Sequence, residues 1–136
     1  MTRQAVFPPD RQHIYERNGY SAAILSGDHL FVSGQVGSRD DGTPEPGFEA
    51  QVRRTFDNLR NVLAAAGCSF DDVVEVTSFH TDPEAQMPTV MKEKARAFPK
   101  APYPAWTAVG VTWLAGYSLE IKVVARAPAP AKQFTE

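Results

Sequence analysis

Apolar residues recur along this chain with two different periods, and the changes of period mark its elements. Between Gly47 and Gly67, residues Phe48, Val52, Phe56, Leu59, Leu63 and Ala66 follow one another at spacings of four, four, three, four and three, which lines them on one stripe of an α-helix. Glu49 sits near the positive end of that helix, and Gly67 can take the left-handed conformation that closes one. Toward the other end of the chain, Leu119, Ile121, Val123 and Ala125 alternate with Glu120, Lys122, Val124 and Arg126. That is the two-residue period of a strand with one buried face.

The punctuation between these stretches predicts the rest. Tyr20–Leu25 and Leu30–Gly34 flank Ser26-Gly27-Asp28-His29, a tight-turn sequence, and form a first hairpin. Before it the chain is mixed, with Arg3–Phe7 a short edge strand stopped by Pro8 and Pro9. Ser38–Pro46 is a polar loop. Ser69-Phe70-Asp71-Asp72 has the form of a capping box, and Val73–Phe79 is a further strand. Asp82 and Pro83 start a second helical stretch and Pro88 restarts it, so that Thr89–Phe98 carries Val90, Met91, Lys94 and Phe98 on one side. Ala105–Trp113 and Ser118–Arg126, with Gly116 between them, are predicted to pair as a closing antiparallel hairpin. Pro128 and Pro130 end it and leave a loose tail. This order (strand, strand, helix, strand, helix, strand, strand) is covered economically by an α+β fold, a mixed sheet with both helices on one face. The bare face still carries apolar side chains, which favours association with other copies.

Composition narrows the function classes. The chain has 136 residues, 43% hydrophobic and 22% charged, enough to bury a core of its own as one domain spanning residues 1–136. A net charge of −2 and a pI near 5.9 give no basic surface for nucleic acid or acidic membrane. The single cysteine, Cys68, excludes an intramolecular disulfide and fits a reducing compartment. With no apolar leader and no run of membrane-spanning length, the expected address is the cytoplasm.

Most candidate chemistries fail on spacing. His13, His29 and His80 show no metal-binding pattern, and His80 beside Asp82 reads as a strand end next to a helix cap. Cys68 follows a helix C-terminus, where the dipole disfavours a thiolate, so a buried small hydrophobe is the better reading. Ser33 lacks the G-x-S-x-G context of a hydrolase, and no Lys-Ser/Thr follows Gly34 and Gly37 to make a phosphate loop. Trp106 and Trp113 can stack on a ligand or fill a core or interface, and for Trp113 the interface is the stronger reading. Glu120 is either a general base for water or a polar residue on a wet face.

Taken together, Leu30-Phe31-Val32-Ser33-Gly34-Gln35, Phe56-Asp57-Asn58-Leu59, Leu63-Ala64-Ala65-Ala66-Gly67, Asp72-Val73-Val74-Glu75-Val76-Thr77 and Leu119-Glu120-Ile121 resemble the RidA/YjgF family in order, over about residues 20–127. The resemblance implies a chorismate-mutase-like α+β fold and a homotrimer whose three sheets form a central barrel. It also implies ligand clefts between subunits, and hydrolysis of reactive enamines and imines without metal or organic cofactor. Carried over by position, Glu120 activates or positions the attacking water, and Tyr20, Ser33 and Gly34 line the cleft. Where the family has an arginine that grips a substrate carboxylate, this chain has Pro104-Ala105-Trp106-Thr107-Ala108, so Trp106, with Thr107 beside it, meets the ligand instead. An indole offers one donor and no charge. Losing a charge-assisted pair costs on the order of 2–5 kcal/mol of binding, unless Arg39 in the polar loop swings in. The expectation is an imine-hydrolysing enzyme with altered substrate preference, its rival a non-catalytic ligand-binding trimer. Ribonuclease activity is disfavoured by the acidic balance, and chorismate-mutase activity by fold analogy alone carries no weight.

Overall fold

The computed structural model describes residues 2–128; Pro130 and the tail expected to be loose lie outside them. The elements are β1 (Gln4–Val6), α1 (Gln12–Arg17), β2 (Ala23–Ser26), β3 (His29–Val36), α2 (Phe48–Ala65), a 3₁₀ turn (Phe70–Asp72), β4 (Val73–His80), α3 (Pro83–Ala97), β5 (Ala105–Gly110) and β6 (Leu119–Arg126). Six strands make one mixed sheet in the order β1-β2-β3-β6-β4-β5.

The helical stripe behaves as its spacing requires. Val52, Phe56, Leu59 and Leu63 are buried against Leu30, Val32, Ile121 and Val123 of the sheet, and α2 ends in a Schellman closure. There Gly67 has φ +75°, Cys68 N–H donates to Leu63 C=O at 2.9 Å and Gly67 N–H to Ala64 C=O at 2.9 Å. Ser69 caps the following turn, and its own N–H donates to the Asp72 carboxylate at 2.8 Å. The first hairpin forms around Gly27 and Asp28 with Ser26 opposite His29, and β1 is the expected edge strand beside β2.

Three expectations change. The closing hairpin does not exist: β5 ends at Gly110 and pairs in parallel with β4, with Trp106 opposite Val76. Strand β6 is antiparallel to both β3 and β4 and lies between them. Its inward residues Leu119, Ile121, Val123 and Ala125 are at most 1% exposed, the burial of a central strand. Second, Pro88 lies inside one continuous helix, α3. It is exposed, so water can satisfy the Glu84 carbonyl that its missing N–H leaves free. Third, the mixed N-terminal segment contains α1, whose Tyr15 joins the core.

Side-chain faces follow from the register, because paired residues share a face. Val76, Ser78, His80 and Trp106 face the helices together with Ile121 and Val123. Thr77, Phe79, Thr107, Val109, Glu120 and Lys122 face the other way.

Candidate functional site

At the end of β3 its ladder with β6 shifts register between Val32 and Gln35. A bulge of this kind re-aims side chains and often borders a site. Here Gly34 lies against Glu120 so closely that a Cβ on Gly34 would collide with the Glu120 carboxylate and its Cγ. Glycine is therefore what lets the carboxylate lie along the strand. A cavity of about 350 Å³ opens there, walled by Glu120, Gly34, Tyr20, Tyr15, Tyr117 and Arg11.

Each wall is fixed by a traceable contact. Tyr15 and Tyr20 pack edge-to-face with ring centroids 5.1 Å apart, and the Tyr15 hydroxyl lies 3.2–3.3 Å from the side-chain amide of buried Gln35. Asn58 of α2 donates to the carbonyls of Val36 and Ser38 at 2.9 and 3.0 Å, tying the helix to the strand end. The Tyr117 hydroxyl donates to Gly42 C=O at 2.8 Å and joins the two loops over the cavity.

The electrostatics are asymmetric. Burial pushes the Glu120 carboxyl above the usual carboxylate range, since a charge is poorly solvated there. The Tyr20 phenol is raised first by burial, then by Tyr15 and the Glu120 charge, so Tyr20 lies within reach of that charge. A carboxyl tuned upward holds a proton more readily than an ordinary carboxylate, which suits general acid–base work.

The remaining predicted residues separate from this cavity. Ser33 spends its hydroxyl on Ser21 C=O at 2.7 Å and does not line the cavity. Thr107 is exposed on the sheet face away from the helices. Trp106 points to the opposite face from Glu120 and is engaged within its own chain. Its Nε1–H donates to Ser78 Oγ at 3.0 Å, Phe98 meets its ring edge-to-face at 5.8 Å, and Lys94 Nζ lies 4.3 Å from its centroid. Arg39 hydrogen-bonds Thr43 at 2.8 Å and does not line the cavity.

Other chemistry is absent among the described residues. No group of His, Cys, Asp and Glu is placed to hold a metal, and no helix is long and apolar enough to cross a membrane. His80 Nε2 lies 2.7 Å from Ser78 Oγ, but both residues are fully buried, where no substrate reaches them. Cys68 is buried, and burial, with Asp72 second, pushes its thiol pKa up.

Arg11, Tyr15, Gln35 and Tyr117 were not foreseen from the sequence. Arg11 and Tyr15 come from a short helix and its start, Gln35 from the end of β3 and Tyr117 from an irregular loop, and only the folded chain brings them to Glu120.

Fold and cavity define a class: one mixed sheet backed by helices, with a small polar cavity at the strand ends and an acid in its wall. The chain belongs to the Endoribonuclease L-PSP family, whose description matches residues 11–127; this is the RidA/YjgF family expected above. It is 65% identical over 126 residues to the RutC family protein YjgH of Escherichia coli, covering 93% of this chain and 96% of that protein. A solved structure of protein YjgH superposes with a TM-score of 0.90 at 63% identity, covering 96% of this chain and all of that one. A 2-iminobutanoate/2-iminopropanoate deaminase of Dermatophagoides farinae is 31% identical over 99 residues, 70% of this chain and 74% of that protein.

Proposed function

We propose that this chain hydrolyses the C=N bond of a small imine, using water activated by Glu120. The observation that carries the reading is the half-buried Glu120 carboxyl, held by Gly34 in the wall of the cavity beside Tyr20. Glu120 takes a proton from water as the oxygen attacks the imine carbon and passes it to the imine nitrogen, giving a carbinolamine. Glu120 then takes the carbinolamine O–H proton as the carbonyl forms and delivers it to the departing nitrogen, so that ammonia leaves with the C–N electron pair and Glu120 ends as the carboxylate. Tyr20 and the Gly34 backbone orient the substrate. An enamine enters the same sequence after protonation at carbon. The relatives named as 2-imino acid deaminases make this reaction class the natural one. The family description as an endoribonuclease fits less well, because a net charge of −2 offers no electrostatic hold on a phosphate backbone.

Substrate preference differs from those relatives in this reading, because Trp106 cannot replace an arginine as a carboxylate clamp. Trp106 and Glu120 lie on opposite faces of one sheet, so a single ligand touches both only in a cleft between subunits. A homotrimer with its clefts between chains supplies that arrangement.

The test is ammonia release from freshly generated imines, including 2-aminoacrylate and carboxylate-free imines, by wild type, Glu120→Gln and Trp106→Arg. Loss of a general base lowers the rate by about 10²–10⁴-fold, so Glu120→Gln should retain little activity. For wild type, kcat/KM should rise with pH through a value above the usual carboxylate range and then level off. Loss of Arg at the Trp106 position favours the second reading, a ligand-binding trimer without turnover; it prevails if every imine is left intact by wild type.

A further inference from the structure

We infer that Arg11 is the anion-binding residue of the Glu120 cavity, and that the ligand it selects carries a carboxylate remote from its C=N or C=O carbon. The inference deepens the imine-hydrolase reading and rests on it for the fate of the ligand, although the binding itself can be measured without turnover.

Arg11 lines the same 350 Å³ space as Glu120, within one chain. Its side chain is 18% exposed and is held in place: Nη1 donates to Ser38 Oγ at 3.1 Å, and Nη2 to Ser38 C=O at 3.5 Å and to Asp40 Oδ1 at 3.1 Å. A guanidinium has five N–H donors, so these three bonds orient the group and leave donors for a ligand. Its ion-pair partner Asp40 is 94% exposed, and a pair so open to water screens the cation weakly. Among the arginines of the described residues, Arg11 is the one lining this cavity.

The two charged side chains are anchored to different points of the chain. Glu120 touches Gly34, on β3, whereas Arg11 is anchored to Ser38 beyond the strand. A 2-imino acid with its reacting carbon at Glu120 would place its carboxylate one bond away, against a like charge. Moving the carboxylate several bonds along the molecule brings it to Arg11 instead. At roughly 30 Å³ per water-sized group, the cavity holds a ligand of that length together with the attacking water.

Isothermal titration calorimetry on the full chain with unreactive ketones tests the assignment. The probes are 4-oxopentanoate, its neutral amide and 2-oxobutanoate. Wild type should bind 4-oxopentanoate more tightly than 2-oxobutanoate. Arg11→Met should weaken 4-oxopentanoate by about 10- to 100-fold, Arg11→Lys should recover part of the loss, and the amide should be indifferent to both. Arg11→Gln, which removes the charge but can still reach Ser38, serves if circular dichroism shows that the Met variant is not folded. The inference is overturned if wild type binds neither acid, if Arg11→Met leaves 4-oxopentanoate unchanged or weakens acid and amide equally, or if Lys94→Met rather than Arg11→Met abolishes the preference for the acid. Retained Arg11-dependent binding with no imine hydrolysed by wild type would support the anion site and remove only the hydrolase reading.

Discussion

Burial holds Glu120 in its neutral form above the usual carboxylate range, and this sets the sign of its contribution to stability. The folded chain binds that proton more tightly than the unfolded chain does. Stability therefore falls as pH rises from the ordinary carboxylate pKa through the raised one, and stays lower above it. Glu120→Gln should melt at a higher temperature than wild type at neutral pH, with the difference vanishing below the ordinary carboxylate range in a pH series of thermal melts. Gly34→Ala probes the same carboxylate by sterics. The atoms nearest the new methyl belong to the Glu120 side chain, which can turn away, so stability should change by less than about 1 kcal/mol while imine hydrolysis falls nearly as far as in Glu120→Gln. Equal losses of melting temperature and activity would show that Gly34 serves the fold rather than the site. Glu120, Tyr20 and Gly34 were legible because their neighbours in sequence match a known pattern. Arg11 was not, because nothing around it in sequence tells a cavity arginine from a solvated one.

Pro88 stands in the sixth position of α3 and forfeits the hydrogen bond to Glu84 C=O. Pro88→Ala restores that bond on an exposed surface and should raise unfolding free energy by about 1–3 kcal/mol in urea titration. The helix persists in the wild type because Val90 and Phe98 are buried against the core, and tertiary packing outweighs one broken rung. The same distinction governs what could be read from the sequence at this scale. Apolar period identified α2 and the buried face of β6, and turn residues identified the first hairpin, since each is a property of one segment. It could not identify partners. Ser118–Arg126 alternates identically whether it returns beside β5 or slots between β3 and β4, and sequence proximity favoured the wrong neighbour. The six residues of α1 are too few for a period to declare itself.

At the scale of the molecule, the sheet has one face covered by α2 and α3 and one face bare. Phe31 is 49% exposed and Val109 40%, and the faces of Thr77, Phe79 and Thr107 continue the surface between them. Packing three such faces together removes them from water, and analytical ultracentrifugation should give a mass of about 45 kDa, three copies of the chain. Phe31→Lys with Val109→Glu should reduce the mass to that of one chain, because unpaired charges would then face an apolar seam. The position of β6 has a consequence of another kind. It is the last strand of the described residues, yet it joins β3 on one side to β4 on the other. As the chain leaves a ribosome, β1–β3 and β4–β5 can form separately, but the sheet stays in two halves until residue 126 has emerged. Glu120, carried on that same strand, reaches its cavity at that moment, so no shorter nascent chain holds the acid in place. The slow long-range closure and the assembly of the reacting group are one event in the life of the molecule.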